Sequence, residues 1–212
     1  MSPAHWATRI SRSSDMDQNE YRAEFFQIFQ QYVTRPGADK LLTWMDEHTD
    51  FFTAPASTKF HGACPCGLVM HSLNVYHALH DLYFTEDESE ETFALIALLH
   101  DLCKANFYKV GSRNVKNEAT GQWEKVPFYQ IEDMFPYGHG EKSVYLIERF
   151  LRLRTEEAVA IRWHMGGFDD AARGGSFAIS AAYDKYPLAV KLHIADLHAT
   201  YLMEHGTSNV PR

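Results

Sequence analysis

Cysteine is scarce in this sequence, whose 212 residues include only Cys64, Cys66 and Cys103. An odd number this small excludes a disulfide framework and is typical of a reducing compartment, so we expect a cytoplasmic protein. Long apolar runs are also missing, since no stretch approaches the roughly eighteen apolar residues that a membrane helix requires. The start of the chain lacks the apolar core of a signal peptide, and we expect residues 1–15 to form a disordered leader.

Basic charge is in deficit as well. Lys and Arg number 20 against 28 Asp and Glu, which gives a net charge of -8. This balance repels long polyanions and therefore argues against stable binding to duplex nucleic acid. A small anionic substrate remains compatible with it, because a metal ion or a basic loop can reverse the field within one cleft.

The spacing of apolar residues predicts a mainly α-helical fold with one small β-hairpin. Strand signals are convincing only at about residues 110–130, where a turn-forming segment separates two basic and aromatic stretches. Because no repeat or linker divides the chain, we predict a single helical domain over residues 16–212. Helices are predicted over residues 21–33, through Leu41 and Met45, and over residues 68–83, 93–104, 141–153, 156–164 and 188–203.

Residues 50–67 mix small and turn-forming residues with aromatic ones, which predicts an irregular but ordered segment. We expect the aromatic side chains of Phe51, Phe52 and Phe60 to be buried in it. A glycine-rich loop is predicted between the last two helices.

Histidine is abundant, with twelve residues in the chain. His100 and Asp101 end a very apolar helix, where two adjacent polar groups are costly unless something pairs with them. A divalent cation would satisfy both, since neutral imidazole and carboxylate are common metal ligands. His71 interrupts the apolar stripe of its own helix in the same way, and Asp196 lies among apolar neighbours near the C-terminus.

His139, just before a helix, and His164, at the end of another, complete a set of six candidate ligands. A single histidine of this kind is more often a core residue bonded to a carbonyl, but six candidates on five segments favour a metal centre in a helical bundle. His193 lies one turn from Asp196 and could orient it. The remaining histidines are expected at the surface or around the centre: His5, His48, His61, His77, His80, His198 and His205.

The order of these residues resembles the HD-domain superfamily of metal-dependent phosphohydrolases, in the six-ligand, two-metal variant of a phage and bacterial group. The resemblance covers about residues 53–201. Related sequences carry Gly-Gly-Leu before the first histidine, whereas here Cys66 precedes Gly67 and makes the backbone less permissive. The motifs that carry the resemblance are His71-Ser-Leu-Asn-Val, His100-Asp-Leu-Cys-Lys104, Gly138-His-Gly-Glu-Lys-Ser143, Trp163-His-Met-Gly166 and Ala195-Asp196.

The resemblance implies two divalent cations, of Mn, Fe, Ni, Co or Zn, held in two groups of ligands. One metal would be bound by His71, His100, Asp101 and Asp196. The second would be bound by His139 and His164, with Asp101 bridging the two.

The activity implied is hydrolysis of a phosphoester or phosphoanhydride bond by metal-activated water, with Asp101 and Lys104 as catalytic residues. We expect a nucleotide or short oligonucleotide as substrate, without a membrane partner. Lys104 lies one turn from His100 and should overhang the site. Further candidates for substrate binding are Arg113 and Lys116 in the hairpin, Ser143, which could instead cap its helix, and Arg162, which could instead form a surface ion pair.

Three other functions remain compatible with the sequence. Some HD-type proteins lose ligands and serve as signalling modules, although all six positions are present here. Others use the same ligand types for a mixed-valent di-iron oxygenase. A 3′–5′ exonuclease is a third alternative, but the residues before the first motif are too few for an oligonucleotide-binding barrel.

Overall fold

The structure is a computed structural model that describes residues 18–117 and 121–204, and the leader predicted for residues 1–15 lies outside these ranges. Within them the chain is mainly α-helical with one two-stranded antiparallel sheet, which confirms the predicted fold class. The α-helices are α1 (Gln18–Tyr32), α2 (Ala38–His48), α3 (Gly67–Tyr83), α4 (Glu90–Leu99), α5 (His139–Glu148), α6 (Thr155–Trp163), α7 (Asp170–Arg173), α8 (Ala178–Lys185) and α9 (Pro187–His198).

Helix α4 forms the centre of the fold. Its residues from Thr92 to Leu99 are all buried, so the helix is enclosed on every side. Ser89 caps its N-terminus, where the hydroxyl accepts a hydrogen bond from the Thr92 N–H. Helices α1, α3 and α6 pack around α4, and α9 packs against α3 and α6. The C-terminal end of the most buried helix therefore points into the bundle.

The helix predicted over residues 93–104 is interrupted. The α-helix ends at Leu99, and a 3₁₀ turn covers Leu102–Lys104 after Asp101, whose φ is -100° and ψ is 19°. The prediction of one continuous helix was wrong here, because apolar periodicity continues through Leu102 while the side chain of Asp101 is held by distant residues. This break places His100 and Asp101 at the end of α4.

Two other expectations need correction. Phe51 and Phe52 are buried as predicted, but Phe60 is 74% exposed. Its backbone N–H donates to the Ser57 hydroxyl in a turn at the surface. The loop predicted after α6 contains the short helices α7 and α8, and Asp169 caps α7 by accepting from the N–H groups of Ala171 and Ala172.

The predicted hairpin is present, with β1 at Tyr108–Lys116 and β2 at Trp123–Ile131. Tyr108 pairs with Ile131 at its base and Lys116 with Trp123 at its tip. The Tyr108 hydroxyl donates to the Ala56 carbonyl, which attaches the base of the hairpin to the irregular segment. In the part of the chain that the structure describes, no helix combines the length and hydrophobicity needed to cross a membrane.

The backbone of the turn before α3 is constrained at two neighbouring residues, Cys66 and Gly67. Cys66 has a φ of 62°, in the left-handed region that glycine adopts more easily. Beside it, a Cβ added to Gly67 would lie 1.9 Å from the carbonyl oxygen of Gly62. This close backbone packing fixes the chain just before His71.

A partly buried ion cluster joins three parts of the bundle. The guanidinium of Arg35 donates to both carboxylate oxygens of Glu157, at 2.8 and 2.9 Å, and to Glu91 at 3.1 Å. Glu157 also accepts from the Thr92 hydroxyl and the Arg154 N–H. Burial raises the pKa of Glu157, but the hydrogen bonds from Arg35 outweigh it and hold the pKa below its ordinary value of 4.5.

We expect Glu157→Gln to lower the free energy of unfolding by about 3–5 kcal/mol, because it leaves Arg35 without its main charged partner inside the protein. The measurement is urea unfolding at pH 7, with Glu156→Gln on the exposed face as the control. In the wild type, the stability due to Glu157 is complete above pH 4.5 and is lost as the pH falls through its lower folded-state pKa. Equal stability of both variants would contradict this role.

Candidate metal centre

The six predicted ligands converge on one point in the bundle. His71 lies on α3, His100 and Asp101 follow α4, and His139 begins α5. His164 follows α6, and Asp196 lies on α9. Their ligand atoms form overlapping groups of three, each within 4.8 Å: His71, His100 and Asp101; His100, His164 and Asp196; Asp101, His139 and His164.

Asp101 lies at the middle of this cluster and is 2% exposed. Its Oδ1 is 2.9 Å from Nε2 of His139 and 3.5 Å from Nε2 of His164. Its Oδ2 is 3.6 Å from Nε2 of His71 and 3.5 Å from Nε2 of His100. Each carboxylate oxygen therefore faces a different pair of imidazoles, which is the arrangement that a bridging ligand requires.

In the buried rings of His100 and His164, the nitrogen that faces away from the cluster is held by a backbone carbonyl. Nδ1 of His100 donates to the Ala97 carbonyl at 2.7 Å, and Nδ1 of His164 donates to the Ile161 carbonyl at 2.6 Å. A carbonyl can only accept, so Nδ1 carries the proton and Nε2 of each ring presents a lone pair. The three-residue spacing of donor and carbonyl shows that each helix end orients its own histidine.

The lone pairs within the cluster need a positive charge. Nε2 of His164 is buried without a hydrogen-bond partner, and Nε2 of His100 is 3.3 Å from Nε2 of His71. Acceptors buried together are costly unless a cation lies between them. Imidazole nitrogens with carboxylates are a donor set that suits divalent transition metals. The residues present therefore fit metal ions.

The pKa values of the cluster residues indicate the same need for positive charge. Burial lowers the pKa of His100 to about 3, so this ring is neutral. Burial also opposes charge on His71, but the carboxylates of Glu204 and Asp196 outweigh it and raise its pKa to about 10. Burial raises the pKa of Asp101, yet the ammonium of Lys104 and other neighbours hold it well below its ordinary value. A proton on His71 thus provides a charge that a bound metal would replace.

Lys104 contacts the cluster directly, with Nζ 2.7 Å from Oδ2 of Asp101. The exposed fraction of the side chain is 13% for Lys104, 15% for the ligand Asp196 and 29% for the ligand His139. The other four ligands are almost fully buried. Solvent therefore reaches the centre at these three side chains.

The other predicted substrate-binding residues are occupied elsewhere. The buried hydroxyl of Ser143 accepts from the Cys103 N–H at 3.0 Å and so holds the turn after Asp101. Arg162 pairs with Glu141 at 2.5 Å and with Asp169 at 2.7 Å, so two carboxylates neutralise its charge. The ion pairs of Arg162 correspond to the alternative given for it, whereas Ser143 does not cap its own helix, which has Gly138 at its N-cap and no side-chain cap.

The candidate hairpin residues Arg113 and Lys116 lie toward the tip of the hairpin, away from its base. Arg113 and Lys116 lie five and eight residues along β1 from its base at Tyr108. At about 3.4 Å per residue, they are about 17 and 27 Å along the strand from that base. The guanidinium of Arg113 lies over the ring of Phe128, at 5.7 Å from its centroid.

Sequence reasoning missed several groups around the ligands. His193 does not orient Asp196, because its Nδ1 donates to the backbone carbonyl of His164 at 2.6 Å. The ring of His61 was not missed, since it was among the histidines expected at the surface or around the centre, and it lies 4.9 Å from that of His71. Sγ of Cys103 is 3.4 Å from Nδ1 of His139.

Glu204 and Asn74 were also missed. Glu204 is buried with Oε1 3.0 Å from Nδ1 of His71, and Asn74 donates to the same oxygen at 3.0 Å. Asn74 follows His71 by three residues, a helical spacing that could have identified it. The position of Glu204, eight residues after Asp196, gave no comparable signal.

Comparison with known families adds independent support for the cluster. A family model described as HD domain matches residues 68–200, which is more than half of the chain and includes all six candidate ligands. No curated protein and no solved structure matches the chain.

We expect Asp101→Ala to remove the bound metal while leaving a folded protein, because both groups of imidazoles lose the carboxylate between them. The measurement is metal content per chain after purification without chelator, with circular dichroism as the check on folding. Asp184→Ala, at an exposed position on α8, is the matched control. Metal content in Asp101→Ala equal to that of the control would contradict the bridging role.

Proposed function

Because the chain belongs to the HD-domain family, we propose that it is a metal-dependent phosphohydrolase acting on a nucleotide or short oligonucleotide. The observation that supports this most directly is the position of Asp101, whose two oxygens face separate pairs of imidazoles. In this proposal, His71, His100, Asp101 and Asp196 hold one metal. His139 and His164 hold the second and share Asp101 with the first.

When bound, two divalent cations polarise a phosphoryl oxygen and lower the pKa of a coordinated water. The protein residues keep the ligands in place for this chemistry. The carbonyls of Ala97 and Ile161 hold the rings of His100 and His164, so both Nε2 atoms stay aimed at the centre without a change of tautomer. Asp101 stays ionised beside the ammonium of Lys104.

Lys104 is placed to bind the phosphate of the substrate. Its ammonium is mostly buried, contacts Asp101, and lies on the side of the centre that solvent reaches. Burial opposes its charge, but the carboxylate of Asp101 raises its pKa, so the side chain stays positive. Once metal ions balance the charge of Asp101, the ammonium can bind a phosphoryl oxygen or the leaving group.

The enclosed centre supports a small substrate. Four of its six ligands are almost fully buried, so we expect a phosphate group to enter at Lys104, Asp196 and His139 while a larger body stays outside. The net charge of -8 also disfavours long polyanions. The basic side chains of Arg113 and Lys116 on the hairpin would contact only the distal part of a longer substrate.

The test is a screen of metal-loaded protein against nucleoside mono- and triphosphates, cyclic nucleotides, dinucleotides and short oligonucleotides. Each substrate is combined with Mn²⁺, Fe²⁺, Co²⁺, Ni²⁺ or Zn²⁺. We expect metal-dependent hydrolysis of at least one class, which Asp101→Ala abolishes. Oxygen consumption by an iron-loaded protein without hydrolysis would support the oxygenase instead, and two bound metals without any turnover would support the signalling module.

We expect Lys104→Met to lower kcat for the best substrate by about 10²–10³-fold, because the variant lacks the positive charge that stabilises the transferring phosphoryl group. Its metal content should equal that of the wild type, since Lys104 is not a ligand. Lys109→Met removes a half-exposed lysine of the hairpin that pairs with Glu132 and is the matched control. Undiminished kcat in Lys104→Met would refute the catalytic role of this ammonium.

A further inference from the structure

Glu204 lies beyond the residues that match the family model, yet its carboxylate belongs to the wall of the metal centre. The side chain is buried, with its two oxygens 3.0 and 3.2 Å from Nδ1 of His71. Oε1 also accepts a hydrogen bond from the Asn74 amide at 3.0 Å. A buried carboxylate is costly unless it is paired in this way, so these contacts determine where Glu204 lies.

A π-helical turn brings Glu204 to this position. Helix α9 continues after His198 into a π-helix at Ala199–Met203, and the N–H of Glu204 donates to the carbonyl of Ala199. In a regular α-helix, residues 196 and 204 would differ in direction by about 80°. The i→i+5 bonds of a π turn rotate the chain less per residue, which turns Glu204 back toward the face of Asp196. Such turns are frequent at functional sites.

The contact with Glu204 makes His71 different from the other buried ligands. His100 and His164 donate from Nδ1 to neutral backbone carbonyls, whereas His71 donates to a charged carboxylate. Nδ1 of His139 contacts the thiol of Cys103 instead. A carboxylate behind an imidazole fixes the ring and increases its basicity as a ligand, which strengthens the bond to the metal.

We propose that Glu204 is a positioning residue that makes the two metal positions unequal, with the position at His71 binding its cation more tightly than the position at His139. This inference rests on the two-metal centre of the proposed function. Glu204 acts through His71: it accepts from Nδ1, so that Nε2, on the side of Asp101 and Asp196, is the nitrogen that a metal would bind. The additional negative charge acts on the His71 position because the carboxylate contacts that imidazole directly.

The experiment is a titration of metal-free full-length protein with Co²⁺. Binding is measured by calorimetry and by the visible absorption of the bound ion. The wild type should bind in two steps that differ at least tenfold in affinity. Glu204→Gln keeps an acceptor oxygen but loses the charge, and should weaken the tighter step about tenfold. Glu204→Ala loses both and should weaken it by up to about 100-fold. The weaker step should change by less than about threefold in both variants.

Glu47→Gln, which neutralises an exposed carboxylate on α2, is the control and should leave both steps unchanged. Thermal unfolding with chelator present checks that each variant is folded, and the near-isosteric Gln variant provides the comparison if Glu204→Ala unfolds. A second readout is the low-field proton NMR signal of Nδ1–H of His71 in the Zn²⁺-loaded protein. This signal should move upfield in Glu204→Gln, because a neutral acceptor forms a weaker hydrogen bond.

Equal loss of affinity in both steps, or no loss in either, would overturn the inference. A wild type that binds two Co²⁺ ions with equal affinity would overturn it as well. These results are distinct from failure of the proposed function, in which the wild type binds no Co²⁺ or binds it and hydrolyses none of the phosphate substrates.

Discussion

The carboxylate of Asp101 is enclosed by four imidazoles at the end of the most buried helix, and two of these rings, His100 and His164, present unprotonated Nε2 atoms to the cluster. Such a group of acceptors is unstable inside a protein unless positive charge is placed among them. Lys104 and a proton on His71 supply part of that charge in the protein chain itself. The remaining demand for positive charge is what makes this cluster a candidate site for metal ions.

The same bundle contains a second, partly buried group of charges, which is neutralised by a side chain of the protein itself. Glu157 and Glu91 are satisfied by the guanidinium of Arg35, which the chain provides at the right distance. That cluster joins α4 and α6 to the segment after α1 and needs no external ion. The two clusters therefore differ in role. The acidic groups around Arg35 are paired within the chain and stabilise the fold, whereas Nε2 of His164 is left without a hydrogen-bond partner in the candidate site.

Rigid anchoring of the ligands comes mainly from the backbone. The carbonyls of Ala97 and Ile161 hold His100 and His164, and the hydroxyl of Ser143 holds the turn that follows Asp101. His193 does not orient Asp196; its ring nitrogen Nδ1 donates instead to the backbone carbonyl of His164. Because these supports are built from helix ends, the direction of each ligand depends on where its helix stops. The break of α4 after Leu99 is therefore a requirement of the site.

The sequence by itself determined most of the helices and the types of ligand, because apolar spacing and the cost of burying His and Asp among apolar residues are local properties. It predicted α3, α6 and the hairpin within about three residues, and all six side chains that meet at the centre. Tertiary structure decided the end of α4, the exposure of Phe60, and the pairing of Ser143 and Arg162. It also decided that Glu204 supports His71. The turn at Phe60 is local. The others depend on partners elsewhere in the chain, and a pattern along the sequence cannot say which of those groups will meet.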